Sequence, residues 1–152
     1  MAIQSVDLDN RRGSSHTTES VRVEATPCFL PNHSDPDEGR YIFGYLVRVT
    51  NEGDEPVQLL GRRWIITDAD GESNEVQGEG VIGVQPTIEP GATHEYTSFC
   101  PLATEWGTME GAYLMVRADG SAFDAKIARF YLVAGADEVG QARTELSQDK
   151  WL

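Results

Sequence analysis

Residues 75–91 read EVQGEGVIGVQPTIEPG. Three glycines stand there as Gly78-x-Gly80-x-x-Gly83, the spacing of loops that cradle a dinucleotide pyrophosphate. The chemistry of such a loop is anion binding. It needs a strand before the glycines and a helix opening directly after them, whose first N–H groups meet the phosphates. Here the residues after Gly83 are VQPTIEPG. Pro86 and the Pro90-Gly91 pair cannot make that helix, no βαβ unit surrounds the motif, and no acid ends a second strand about twenty residues on. The dinucleotide reading fails on context. A backbone nest could still hold a phosphate without a helix, but Glu75 and Glu79 put negative charge beside it. The stronger expectation is that the glycines permit positive φ or close backbone approach in a long, tight loop. In a strand, Arg62 shares a face with Trp64 while Arg63 points the other way. Trp64 is expected in the core, and Arg62 is expected to pair with Glu75 or Glu79 and brace the loop. The candidate ligand or interface residues are therefore Gly78, Glu79, Gly80, Gly83 and Arg62.

Other reactive types are scattered. Asp68, Asp70, Glu72, Glu75 and Glu79 cluster around a turn, and hard cations take carboxylate oxygens. Their spacing does not match an EF-hand, so a solvated acidic hairpin with weak divalent-cation binding is expected. His16, His33 and His94 have no ligand-spaced partners, which argues against a dedicated metal site. Ser98 and Cys100 follow His94 at even spacing and read as one face of a strand rather than an activated nucleophile. Cys28 and Cys100 make no C-x-x-C pair. Two reduced, inert thiols are expected, with one disulfide open in an oxidising compartment.

The totals narrow the partners. The chain has 152 residues, enough for one self-sufficient domain. Its net charge of −13 repels phosphates, so general nucleic-acid binding is not expected, whereas cations or basic partners are attracted. Ten of the twelve basic residues are Arg, a balance that suits a high-salt cytoplasm and equally a GC-rich genome. No apolar run approaches membrane-span length. The N-terminal residues carry no basic stretch followed by an apolar one, so a cytoplasmic protein is expected.

The elements that must position these residues read as strands. Residues 1–19 are polar and aperiodic, and the alternation begins at Ser20 with Val21, Val23 and Ala25. YIFGYLVRV places Tyr41, Phe43, Tyr45, Val47 and Val49 on one face, rich in the aromatic and β-branched types a pleated surface favours. A break at Gly61 suggests a bulge. Asp70-Gly71, Pro90-Gly91 and Asp119-Gly120 are turn signals. Further strands are expected in ATHEYTSFCPL, GTMEGAYLMVRADG and SAFDAKIARFYLVAG. Turns recur about every 8–12 residues with no strong amphipathic helix before Gly135, the pattern of an all-β sandwich or barrel. After Gly135, Val139, Ala142, Leu146 and Trp151 form a weak apolar stripe compatible with a short helix.

Five segments then carry a family resemblance: EPVQLLGRRWIITDADG, EVQGEGVIGVQPTIEPG, EYTSFCPL, GTMEGAYLM and KIARFYL. In this order, from about Ser15 to Ala136, they resemble ApaG domains. The resemblance implies a fibronectin type III-like antiparallel β-sandwich of about seven to eight strands over residues 15–136. A flexible arm would precede it (1–14), and a tail, either frayed or a short helix, would follow (137–152). It also implies a non-catalytic module, engaging an unidentified protein and linked to cobalt resistance and magnesium efflux, with no cofactor and no metal ligands. A pyrophosphate or nucleotide binder using the Gly78–Gly83 loop is the alternative. A homodimer through an exposed sheet edge is open. Three positions depart from the family pattern. Arg63 stands where an aromatic or His is common, Phe99 replaces a glycine, and Ala128 replaces a proline.

Overall fold

The computed structural model describes residues 12–135. Residues 1–11 and 136–152, which hold most of the expected arm and all of the helix-compatible tail, lie outside the described residues.

Among the described residues nine strands follow in chain order: β1 (Ser14–Thr18), β2 (Val21–Phe29), β3 (Tyr41–Asn51), β4 (Val57–Asp68), β5 (Ser73–Glu79), β6 (Thr87–Ile88), β7 (Thr93–Leu102), β8 (Trp106–Arg117) and β9 (Ala122–Val133). One sheet runs β1-β2-β3-β7 and the other β5-β4-β8-β9, with β6 also paired to β4. All pairings are antiparallel. The all-β sandwich is as expected, with nine strands in place of seven or eight.

The extra strands have physical reasons. The polar residues 14–18 form β1 because Glu19 (φ 47°) and Ser20 (φ 70°) turn the chain straight back onto β2. Both central residues of a two-residue type I′ hairpin need positive φ, and Asn-Gly or Asp-Gly usually announces it. Glu-Ser does not. His16 is thereby a strand residue opposite Val23. The strand also ties the sheets together along one side: Ser14 Oγ donates to Ala128 O at 2.7 Å, and Tyr131 N–H donates to Arg12 O at 2.9 Å.

The inward faces meet in one core. Phe43, Tyr45, Val47 and Val49 from β3 are fully buried, as the alternation predicts. Trp64 stands at the centre, edge-on to Tyr45 (centroids 5.4 Å), Phe130 (5.9 Å) and Tyr113 (6.3 Å). Such edge-to-face pairs add ~0.5–1.5 kcal/mol each to the area they bury. A smaller apolar cluster of Cys28, Leu30, Ile42 and Phe99 forms separately, and Phe99 supplies its largest side chain. No disulfide joins the two cysteines: Cys28 belongs to this cluster and Cys100 to the main core.

The bulge expected near Gly61 is present, as a register shift between Leu59 and Gly61. A second shift lies between Met109 and Gly111 on the β8–β9 pair, again beside a strand glycine.

Candidate functional site

The glycine segment interrupts an edge strand. β5 pairs with β4 up to Glu79 opposite Gly61, and β6 resumes pairing with Thr87 opposite Gln58. Both run antiparallel to β4, so residues 80–86 are an excursion from what would otherwise be one continuous strand. The excursion is pinned at each foot. Gly80 N–H donates to Leu60 O (2.8 Å) and Leu59 N–H to Pro86 O (2.9 Å), so the bulged residue Leu60 serves the loop. Gln85 Nε2 also donates to Leu60 O at 2.8 Å.

At its tip, Val81 and Val84 exchange two backbone hydrogen bonds, 2.8 and 3.0 Å. The residues between them, Ile82 (φ 46°) and Gly83 (φ 79°), are both left-handed, which makes a type I′ turn. A β-branched residue rarely accepts that conformation. Val81, one residue earlier, is buried in the core at 1% exposure and anchors the turn from below.

The three glycines therefore serve three needs. Gly83 supplies positive φ in open space. Gly80 has φ 64° and would also drive a Cβ to 2.2 Å from Val84 O. Gly78 has ordinary strand dihedrals, and its missing side chain makes room for Arg62, its register partner on β4.

Arg62 braces the loop as expected, but through the backbone. Its Nη1 donates to Glu79 O (3.1 Å) and Gly80 O (3.0 Å), not to a carboxylate. The two N–H groups of one guanidinium nitrogen thus meet two consecutive carbonyls at the foot of the turn. Glu75 instead accepts from Gln77 at 2.6 Å and lies 3.9 Å from Arg63. The structure thus brings Arg62, Gly78, Glu79 and Gly80 together, while Gly83 sits apart at the tip.

Beneath the turn lies a polar layer that the alternation pattern alone does not reveal. Tyr45, Arg62, Trp64, Val81, Ile82, Tyr96 and Ser98 line a small pocket of about 20 Å³. The Tyr96 and Tyr113 hydroxyls hydrogen-bond each other. Burial pushes the Tyr45, Tyr96 and Tyr113 phenols up from their ordinary value, and Arg62 acts in the opposite sense on all three. Ser98 on an inward register position was the available signal, since a polar residue there needs a partner.

The other reactive types stay apart. Burial raises the Cys100 thiol to about 12 and lowers His94. A thiol held protonated in this way is a poor nucleophile. Asp68 Oδ1 accepts from Asp70 N–H (2.9 Å) and Glu72 N–H (3.0 Å), closing the acidic hairpin as a turn. Among the described residues no group of three or more His, Cys, Asp and Glu is arranged to hold a metal ion.

On the opposite face of the same sheet, a shallow groove of about 400 Å³ crosses four strands. Gly61 and Ala112 leave its floor low, and Arg63, Gln77, Glu79, Leu114 and Asp124 wall it. Leu114 is 41% exposed. Beside it β5 is the outer strand of its sheet, and its Glu75 and Glu79 discourage pairing with a second copy of an acidic chain.

These features define a two-sheet antiparallel β-sandwich whose edge strand is broken by a braced glycine loop. A family model, the ApaG domain, matches residues 31–117, and the chain belongs to that family. It is similar to Protein ApaG of Anaeromyxobacter dehalogenans (strain 2CP-1), 54% identical over 79% of this chain and 94% of that protein. Protein ApaG of Pseudomonas aeruginosa (strain LESB58) is 50% identical over 80% of this chain and 98% of the relative. Among solved structures, a Bordetella pertussis protein described as ApaA superposes with a TM-score of 0.75 at 46% identity, over 76% of this chain and 94% of the other. No helix among the described residues is long and apolar enough to cross a membrane.

Proposed function

We propose that this chain is a non-catalytic binding module that engages another protein through the outer face of the sheet carrying the glycine loop. The observation that supports this is the groove over Gly61 and Ala112, where exposed Leu114 stands among Arg63, Glu79 and Asp124. An apolar side chain ringed by charges of both signs is the make-up of a small protein contact, with a desolvated centre and a polar rim. The groups with chemical potential behind it are already engaged: Arg62 holds loop carbonyls, and the Cys100 thiol is kept protonated. The family resemblance ties the module to divalent-cation homeostasis in the cytoplasm. The link runs through the partner and not through ions bound here.

Capture from the native cell with wild-type protein, a Leu114→Glu variant and a Trp106→Ser control tests this. A protein retained by wild type and control and lost with Leu114→Glu supports the reading, and equal retention by all three removes it. Pyrophosphate, ATP and diadenosine tetraphosphate, titrated while following the amides of residues 78–83, test the alternative. Saturable micromolar shifts there move the assignment to a phosphate ligand. Calorimetry with MgCl₂ and CoCl₂ separates the indirect cation link from a direct one.

A further inference from the structure

Three residues lining the small pocket beneath the glycine loop each carry a buried polar side-chain atom with no hydrogen-bond partner within the protein: Tyr45 Oη, Trp64 Nε1 and Ser98 Oγ. Their residues are 0%, 1% and 0% exposed. They come from three different strands, β3, β4 and β7, and all three residues line the same cavity. The Ser98 hydroxyl is near enough to act on the Tyr45 phenol, yet no hydrogen bond of good geometry joins them. Leaving one buried polar group unmet is costly, and native interiors seldom leave three together.

We propose that this cavity is a built hydration site for one long-lived water, closed by the type I′ turn and latched by Arg62. The chemistry of the lining selects water. Trp64 Nε1 can only donate, so the occupant must accept. The two hydroxyls can each donate or accept, so the occupant can also donate. One water meets both requirements with three bonds, the usual number for a buried one. A cavity of about 20 Å³ exceeds the 10–15 Å³ or so that a water needs and is far too small for phosphate.

Access runs through the loop. Val81 and Ile82 form the cavity's lid, with Ile82 held in a left-handed conformation that a β-branched residue resists. Arg62 lines the cavity and also holds the lid's foot through Glu79 O and Gly80 O. On this proposal, exchange of the water through the loop breaks those two bonds and lifts the turn. This assigns Arg62 a positioning role that differs from simple bracing.

The test is a water-selective NMR experiment on the Trp64 indole N–H, with a high-resolution crystal structure grown in bromide. The expected result is a cross-peak with the sign of a bound, slowly exchanging water. The density should show one water within hydrogen-bond distance of Tyr45 Oη, Trp64 Nε1 and Ser98 Oγ, without anomalous signal. Tyr45→Phe and Ser98→Ala keep the shape and each remove one bond, so each should weaken or abolish the cross-peak. Arg62→Met leaves all three partners in place and should shorten the water's residence about tenfold or more, as loss of both charge-assisted bonds from the latch implies. No cross-peak in a folded wild type, or an empty cavity in the density, overturns the site. A bromide signal overturns the assignment to water. Unchanged residence in Arg62→Met overturns the latch.

Discussion

The guanidinium of Arg62 fills the space in which Gly78 would carry a side chain. A Cβ built on Gly78 meets Nη1 and Nη2 at 2.8 Å. Since the far end of a flexible side chain is what stands in the way, Gly78→Ala displaces Arg62 and leaves the backbone in place. The cost is then the loss of the two bonds to Glu79 O and Gly80 O, about 1.5–3 kcal/mol. Arg62→Ala loses the same bonds. The two changes should not add: urea denaturation of the double variant should match the worse single variant, and full additivity would show that Gly78 matters for another reason.

Gly111 is a different case. A Cβ there would sit 1.9 Å from Arg63 O and 3.2 Å from the Trp64 Cα, both backbone atoms of the neighbouring strand. Nothing can swing aside, so Gly111→Ala must part β8 from β4 beside the central Trp64. A loss above ~4 kcal/mol or outright failure to fold is expected, in the exceptional range for one substitution. Gly71→Ala is the contrast. It has φ 85° but nothing within 4 Å, so only about 1 kcal/mol of backbone strain is expected.

How far the sequence could be read follows from which signals are local. The inward face of β3, the core place of Trp64 and the turns at Gly71, Gly91 and Gly120 follow from alternation and from turn residues, and the structure has them. β1 was hidden because Glu19-Ser20 makes its hairpin turn with residues that do not advertise one. Arg62 braces the loop, as its strand position implies, but through carbonyls and not carboxylates. Charge suggests Glu75 and Glu79, whereas only the fold shows two loop carbonyls converging on β4. The polar layer of Tyr45, Tyr96, Ser98 and Tyr113 joins three strands from distant parts of the chain, and no single window of sequence contains it.

Asn51 ends β3 and holds the NEGDEP turn from inside. At 1% exposure its Nδ2 donates to Glu55 O (2.7 Å) and Ile88 O (2.9 Å), and its Oδ1 accepts from Gly53 N–H (2.9 Å). Asn51→Ala leaves these backbone groups without their partner and should cost ~2–4 kcal/mol. Asn51→Asp should be worse at neutral pH, since a carboxylate would face two carbonyl oxygens, and should recover in part on acidification. Equal stability of the two variants across pH would show that water replaces the side chain.

Four buried acids make the fold sensitive to alkali. Burial raises Cys100 from 9.0 to about 12 and raises Tyr45, Tyr96 and Tyr113 above 10.0. Near neutral pH all four are protonated both folded and unfolded and contribute no slope. Above about pH 9 the unfolded thiol releases its proton, and above about pH 10 the unfolded phenols follow, while the folded groups keep theirs. The unfolded state then binds fewer protons than the native one, so stability falls as pH rises, by ~1.4 kcal/mol per pH unit for each such group. The urea midpoint should therefore drop steeply on the alkaline side. Tyr45→Phe removes one of the four groups and should make the fall shallower by about one group's slope. An alkaline limb of the same steepness in that variant would show that the Tyr45 phenol ionises as readily in the folded protein as in the unfolded chain.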